Sequence, residues 1–221
     1  MIISCIVPVY NEEKRLGAVL SILEQCAFLD EVIVVNDCST DMTSTIIEQY
    51  KKIITFTHTE NKGKSAAIYT GITHSKGDVL FFIDADLEGL TVAAVQSLAE
   101  PIIEDEADMS LSLRQNAPGL WKYIGLDYIT GERCFKKDLL TESLEQIPHL
   151  DGFELEVFLN KIIIKKQSRL VVVSWPKVIS PLKIKCFGIY FDFLYMGIKI
   201  FIYLNPFQML NQIQQMKRQI V

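Results

Sequence analysis

Gly77-Asp78-Val79-Leu80-Phe81-Phe82-Ile83-Asp84-Ala85-Asp86 is the stretch that decides the fold. Val79 to Ile83 is an apolar run too short for a helix and rich in strand-forming residues. It predicts a strand buried on both faces, as found inside a parallel sheet. At its carboxyl end stand two carboxylates, Asp84 and Asp86, with one small residue between them. Ligands of open α/β sheets lie outside the carboxyl ends of strands. Two hard oxygen donors there suit Mg²⁺ or Mn²⁺, which share their coordination with water and substrate phosphates. An Asp-x-Asp is also an ordinary polar turn, so its meaning depends on the segments around it.

Upstream, Ile2 to Tyr10 reads as a first buried strand, with Pro8 near its end. Asn11 is the expected N-cap of a helix carrying Leu16, Val19, Leu20 and Leu23 at helical spacing. Glu31 to Val35 forms a second strand that ends in Asn36-Asp37-Cys38-Ser39-Thr40-Asp41, a cluster able to cap a helix at 42–50. A third strand is expected at 53–58. The basic turn Asn61-Lys62-Gly63-Lys64 then opens a helix reaching about His74. Strands and helices alternating in this way predict an α/β domain with a doubly wound, mostly parallel sheet flanked by helices.

Composition narrows the class. At 221 residues, with 49% hydrophobic and 22% charged residues, the chain can fill one globular α/β domain and a short appendage. Five cysteines without a CxxC pair argue against a disulfide framework and a structural zinc, and favour a reducing compartment. The amino terminus enters a strand at once, with no basic region or cleavage site, so a cytoplasmic protein is expected. Charge is unevenly placed: residues 1–159 hold 12 Lys/Arg against 26 Asp/Glu, whereas 160–221 hold 10 against one. No nucleic-acid-binding module accompanies the basic end, so nucleic acid is not an expected partner. An anionic membrane surface is.

Four segments in order resemble the family-2 glycosyltransferases of the GT-A fold. They are Ile6-Val7-Pro8-Val9-Tyr10-Asn11-Glu12, Val34-Val35-Asn36-Asp37-Cys38-Ser39-Thr40-Asp41, Asn61 to Gly71, and Asp84 to Asp86. The resemblance implies a metal-dependent, inverting transfer of a sugar from a UDP- or GDP-sugar, with Mg²⁺ or Mn²⁺ as cofactor. Pro8, Tyr10 and Glu12 would wall the base and ribose, and Asp37 would accept hydrogen bonds from them. Lys64 would sit near the diphosphate. Asp84 would orient ribose or metal waters, and Asp86 would ligate the metal. It divides the chain into a catalytic domain at 1–181, with a nucleotide-sugar half at 1–90 and an acceptor half at 91–181, and a tail at 182–221.

The acceptor half resembles the family less closely. Ala107 to Arg114 resembles the strand that ends in Gly-Ser-Arg in the polyprenyl-phosphate branch, which carries a donor-binding role to Arg114, although the glycine is absent here. Ile129 to Lys137 resembles an acceptor-side Gly-x-Arg segment, and Arg133 is its candidate cation. Asp151 to Val157 resembles the segment with acceptor-side carboxylates, and Glu154 is the candidate acid or base. A hydroxyl acceptor needs a general base within hydrogen-bond reach. A phosphate acceptor needs cations such as Arg133 and Lys137 instead. A nucleotidyltransferase is the competing enzyme, but it would carry a Gly-rich loop after the first strand. A silent scaffold on the same fold is the alternative from another class.

Ahead of the tail, Leu170 to Trp175 is a late strand, and Pro176 and Pro181 break the chain behind it. Phe187 to Leu204 is an aromatic-rich segment interrupted by Asp192 and Lys199. Each of these would cost roughly 2.5–3.5 kcal/mol near the centre of a membrane helix, which favours a helix lying in the interface. Phe207, Leu210, Ile213, Met216 and Ile220 begin a second amphipathic stretch. Membrane contact is the expectation for both helices. Packing on the catalytic domain, or on a second copy in a homo-oligomer, is the alternative.

Overall fold

The computed structural model describes residues 1–181 and 206–221. Seven strands form one sheet in the order β3-β2-β1-β4-β6-β5-β7. They are β1 (Ile3–Val9), β2 (Glu31–Asn36), β3 (Ile54–Thr57), β4 (Val79–Phe82), β5 (Met109–Arg114), β6 (Arg133–Lys136) and β7 (Leu170–Trp175). The helices are α1 (Leu16–Leu23), α2 (Thr43–Ile47), α3 (Lys64–His74), α4 (Val92–Ile103), α5 (Gly119–Ile124), α6 (Glu154–Lys166) and α7 (Pro206–Gln219).

The central strand behaves as its composition predicts. Val79 and Phe81 enter the apolar cluster that contains α1 and α4, while Leu80 and Phe82 enter the cluster on the other face with α3 and α6. β4 is parallel to β1, with Ile6 opposite Phe82, and β1 is parallel to β2, with Val9 opposite Asn36. Parallel pairing brings the polar ends of all three strands to one edge, so the residues after Val9, Asn36 and Phe82 share a cleft.

β6 departs from the parallel pattern. It lies between β4 and β5, antiparallel to both, with Phe82 opposite Arg133. The chain entering β6 therefore reaches the sheet beside the carboxyl end of β4. That reversal places Gly131, not the strand itself, next to Asp84.

One expectation is corrected here, and one of the alternatives for the tail is realised. Asn11 does not cap α1, which begins at Leu16. It adopts a left-handed φ of 52°, and its side chain accepts a hydrogen bond from Thr40 N at 2.8 Å, joining the loops after β1 and β2. The second amphipathic stretch packs on the domain itself: Ile213 and Met216 of α7 are buried with the α6 side of the core. Gln212 bonds the Tyr128 hydroxyl, and Val221 N donates to Leu170 O at 3.1 Å. Phe207 and Leu210 remain on the outer face. The segment Phe187 to Leu204 lies outside the described residues. No helix among the described residues is long and apolar enough to cross a membrane.

Candidate functional site

A cleft of about 200 Å³ opens at the carboxyl edge and is lined by Pro8, Tyr10, Glu12, Asp37, Lys64, Asp84 and Asp86 among others. These are the residues singled out in the first half of the sequence, so strand polarity alone assembles them. A roomier cavity, about 640 Å³, opens near the amino end of β4 between Met1, Asp78 and Lys137. It lies away from the carboxylates, and the Lys137 ammonium there donates to Ser75 O at 2.9 Å. We therefore place the site at the carboxyl edge, despite the smaller volume.

Lys64 opens α3 and reaches across the cleft. Its ammonium is 2.7 Å from Asp84 Oδ1 and 3.2 Å from Glu156 Oε1. Burial works against the charged form, but the Asp84 and Glu156 carboxylates outweigh it and hold the pKa above that of a free lysine. Lys64 is thus a fixed cation. Glu156, in the first turn of α6, is 3% exposed, and its Oε2 has no hydrogen-bond partner among the described residues. Such a buried, half-satisfied carboxylate is costly unless a function retains it.

Glu156 was not singled out in the sequence; its neighbour Glu154 was. The structure gives Glu154 a local role, because its Oε2 accepts from Asp151 N at 2.8 Å and ties down the entry to α6. Two residues along a helix rotate a side chain by about 200°, so only one of the pair can face Lys64.

Asp37 is buried, and its carboxylate holds its own chain. Oδ1 accepts from Lys62 N at 2.9 Å, Oδ2 accepts from Gly63 N at 2.7 Å, and His58 Nδ1 lies 2.7 Å from Oδ1. At the start of α2, whose N-cap position is Met42, it is Asp41 and not Asp37 that bonds the helix: its Oδ1 accepts from Thr43 N at 3.0 Å. Asp37 therefore fixes the loop that aims Lys64, besides lining the cleft. Asp37→Ala is expected to lower stability by about 2 kcal/mol, the order for charge-assisted bonds to backbone N–H, and to weaken nucleotide binding as well. Denaturant melts alongside calorimetric titrations measure both. Normal stability with weakened binding would reduce Asp37 to a plain ligand contact.

Arg114, at the end of β5, is held between Asp127 Oδ2 at 3.5 Å and Glu132 Oε1 at 3.3 Å. Glu132 in turn accepts from the Ser112 hydroxyl at 2.7 Å and the Thr130 hydroxyl at 2.6 Å. Burial opposes the Arg114 charge, and the carboxylates, Glu132 first, more than compensate. Arg114 is a member of a buried charge network, and its Nε has no hydrogen-bond partner among the described residues.

Arg133 is not in the cleft. It is fully buried, donating through Nε to Thr130 O at 2.9 Å and through Nη1 to Asn160 Oδ1 at 2.8 Å. Burial lowers its pKa. Lys136 bonds Asp105 at 2.6 Å and Lys137 donates to Ser75 O at 2.9 Å, both at the opposite end of β6, beside the amino end of β4. The basic segment 133–137 thus serves the scaffold, and its acceptor-side role is withdrawn.

Gly131 is the residue of that segment that reaches the site. A Cβ there would stand 2.6 Å from Asp84 Oδ2 and 2.7 Å from Lys64 Nζ. Both are far ends of side chains that can shift, so Gly131→Ala should cost less than about 1 kcal/mol of stability. It should nonetheless spread the Lys64–Asp84 pair and lower nucleotide affinity several-fold. Affinity equal to that of the unchanged protein would show that the pair tolerates displacement.

Asp86 ends the constellation. Its Oδ1 accepts from the Ser180 hydroxyl at 3.2 Å. Among the described residues no three His, Cys, Asp or Glu side chains converge as a metal cage. The donor set instead offers carboxylate and hydroxyl oxygen, in surroundings where Asp84, Asp86, Glu156, Asp127 and Glu132 outnumber Lys64 and Arg114. Hard oxygen donors in an anionic cleft fit a divalent cation that completes its shell with substrate phosphates and water.

A cleft of this kind, outside the carboxyl ends of the strands, is where doubly wound α/β proteins hold their ligands. The sequence matches Glycosyl transferase family 2 over residues 4–154, and the chain belongs to that family. A dolichyl-phosphate beta-glucosyltransferase of Trichomonas vaginalis is 40% identical over 97 residues, covering 38% of this chain and 30% of the relative. A 4,4'-diaponeurosporenoate glycosyltransferase of Staphylococcus aureus is 41% identical over 101 residues, covering 43% of this chain and 27% of its own length. The matched stretches thus span less than a third of either relative. Among solved structures, glucosyl-3-phosphoglycerate synthase of Mycobacterium tuberculosis with Mn²⁺, UDP and phosphoglyceric acid superposes with a TM-score of 0.67 at 21% identity, over 83% of this chain and 72% of that one. TarS of S. aureus in complex with UDP gives 0.64 at 24% identity, over 78% and 58%. The GT-A fold expected from the motifs is the fold observed.

Proposed function

We propose that the protein transfers a sugar from a nucleotide-diphosphate sugar, with a divalent cation held at Asp86. The observation that carries this reading is the convergence of Asp37, Lys64, Asp84 and Asp86 at one strand edge. Pro8, Tyr10 and Glu12 form the wall for base and ribose. Lys64, kept protonated and aimed by Asp84 and Glu156, presents a point charge toward the diphosphate. Asp86, the last carboxylate of the constellation and oriented by the Ser180 hydroxyl, is the principal carboxylate for the cation. Bound there, Mg²⁺ or Mn²⁺ would offset the charge that grows on the departing nucleoside diphosphate.

A polyprenyl phosphate is the acceptor we favour, on the strength of the dolichyl-phosphate relative and the exposed Leu120 and Tyr123 within the acceptor half. The second reading, a saccharide hydroxyl, draws support from the withdrawal of Arg133, Lys136 and Lys137 from the cleft and from the buried Glu156 carboxylate. The catalytic domain at 1–181, with its halves at 1–90 and 91–181, peripheral contact of the 182–221 tail with a membrane, and self-association stand as proposals beside it.

A thermal-shift panel of nucleoside diphosphates with and without Mn²⁺ tests the core of the reading. Stabilisation by mass action reaches about 2.7 kcal/mol at a hundredfold excess over Kd. UDP or GDP should stabilise the protein, and more so with Mn²⁺. A flat panel would move the chain to a silent scaffold on the same fold.

A further inference from the structure

After β7 the chain crosses back over the site. Gln115 N donates to Val178 O at 3.0 Å, and Glu88 and Ile179 exchange backbone hydrogen bonds of 2.9 and 3.0 Å as an isolated antiparallel bridge. Asn116 grips Ser180 twice: its Nδ2 donates to Ser180 O at 2.6 Å, and its Oδ1 accepts from Ser180 N at 3.2 Å. At Gly89, with φ of 74°, an added Cβ would lie 2.2 Å from Lys177 O, so the strap sits directly on the turn that follows Asp86. These contacts come from two separate loops, 88–89 and 115–116. They carry one hydroxyl, that of Ser180, to Asp86.

We propose that Ser180 is a positioning residue for the Asp86 carboxylate, and that the strap at 177–181 exists to hold it there. The inference rests on the metal-dependent nucleotide reading above. Asp86 lies beyond the last hydrogen bonds of β4, on a turn with a partly exposed side chain, where the plane of a carboxylate is set by the groups that bond it. A hydroxyl donor fixes its plane, and Asn116 fixes the donor. Partners of this kind that orient a metal-binding group change metal affinity by about 10- to 100-fold when they are removed. Ser180 contributes no charge, so its effect is confined to orientation.

The test uses the full chain and three variants, Ser180→Ala, Ser180→Thr and Gly89→Ala. Binding of Mn²⁺ is counted by the electron paramagnetic resonance signal of the free ion in saturating UDP, and melting temperatures are taken in parallel. Ser180→Ala should weaken Mn²⁺ binding about tenfold with an unchanged melting temperature, because the side chain is only half buried. Ser180→Thr keeps the hydroxyl and should recover most of that loss. Gly89→Ala should reproduce the loss from outside the site by lifting the strap. Undiminished Mn²⁺ affinity in Ser180→Ala overturns the role of Ser180, as does a Thr variant no better than Ala. If the unaltered protein shows no UDP-dependent Mn²⁺ binding at all, the nucleotide reading fails and the strap's role falls with it.

Discussion

Asp86→Asn is expected to reduce sugar transfer by on the order of a hundredfold or more, the scale for removing one group that stabilises developing charge. Folding should be left intact. Asparagine preserves the shape of the side chain and can still accept from Ser180, so the hydrogen bond of 3.2 Å to the strap survives. What disappears is one negative charge in a cleft where Asp84 is already engaged by Lys64 at 2.7 Å. A cation that relies on a single protein carboxylate and on substrate phosphates then loses its main anchor. The side chain projects past the end of β4 and is not part of the apolar clusters, so the melting temperature should move by no more than a few degrees. Calorimetric titration with UDP or GDP, with and without Mn²⁺, separates the two effects. Equal Mn²⁺-dependent affinity in the variant would remove Asp86 from the metal site.

The strands of the first half were legible because burial on both faces leaves continuous apolar runs. β1, β2 and β4 each read directly from Ile, Val and Phe, and each ends where polar residues begin. Parallel pairing then assembles the cleft with no further information, and so Asp37, Lys64, Asp84 and Asp86 were found together. The acceptor half was less legible, for a geometric reason. β6 runs antiparallel, which turned a basic segment around so that its glycine met Asp84 while Arg133 and Lys136 pointed elsewhere. The choice between Glu154 and Glu156 depended on the phase of α6, which nothing short of the packing of Leu155, Leu159 and Ile163 determines. Asp37 looked like a ligand or a cap; its bonds to Lys62 N and Gly63 N join residues 25 and 26 positions apart, a pairing that spacing does not reveal. Ser180 gave no sequence signal beyond the bracketing prolines.

Arg133→Met should destabilise the protein by roughly 3 kcal/mol or more while leaving the nucleotide affinity of the folded protein within about twofold, a small change against that loss. Methionine fills much of the same volume, so the cost comes from the partners left behind and not from a cavity. Asn160 Oδ1 and Thr130 O would each lose a donor in a region closed to water, and each buried unsatisfied acceptor costs about 1–3 kcal/mol. Asn160 Nδ2 would still donate to Tyr128 O at 2.8 Å, so the network would be weakened and not erased. The neutral variant also removes a favourable charge near Glu156 and Glu132, the two carboxylates through which the change can reach Lys64. For a chain of this length, a loss of about 3 kcal/mol corresponds to a drop in melting temperature of about 6–12 °C. Thermal melts and UDP titrations on the same sample decide the matter. A variant that melts like the unaltered protein but no longer transfers sugar would return Arg133 to the acceptor site, and with it the case for a phosphate nucleophile held by that guanidinium.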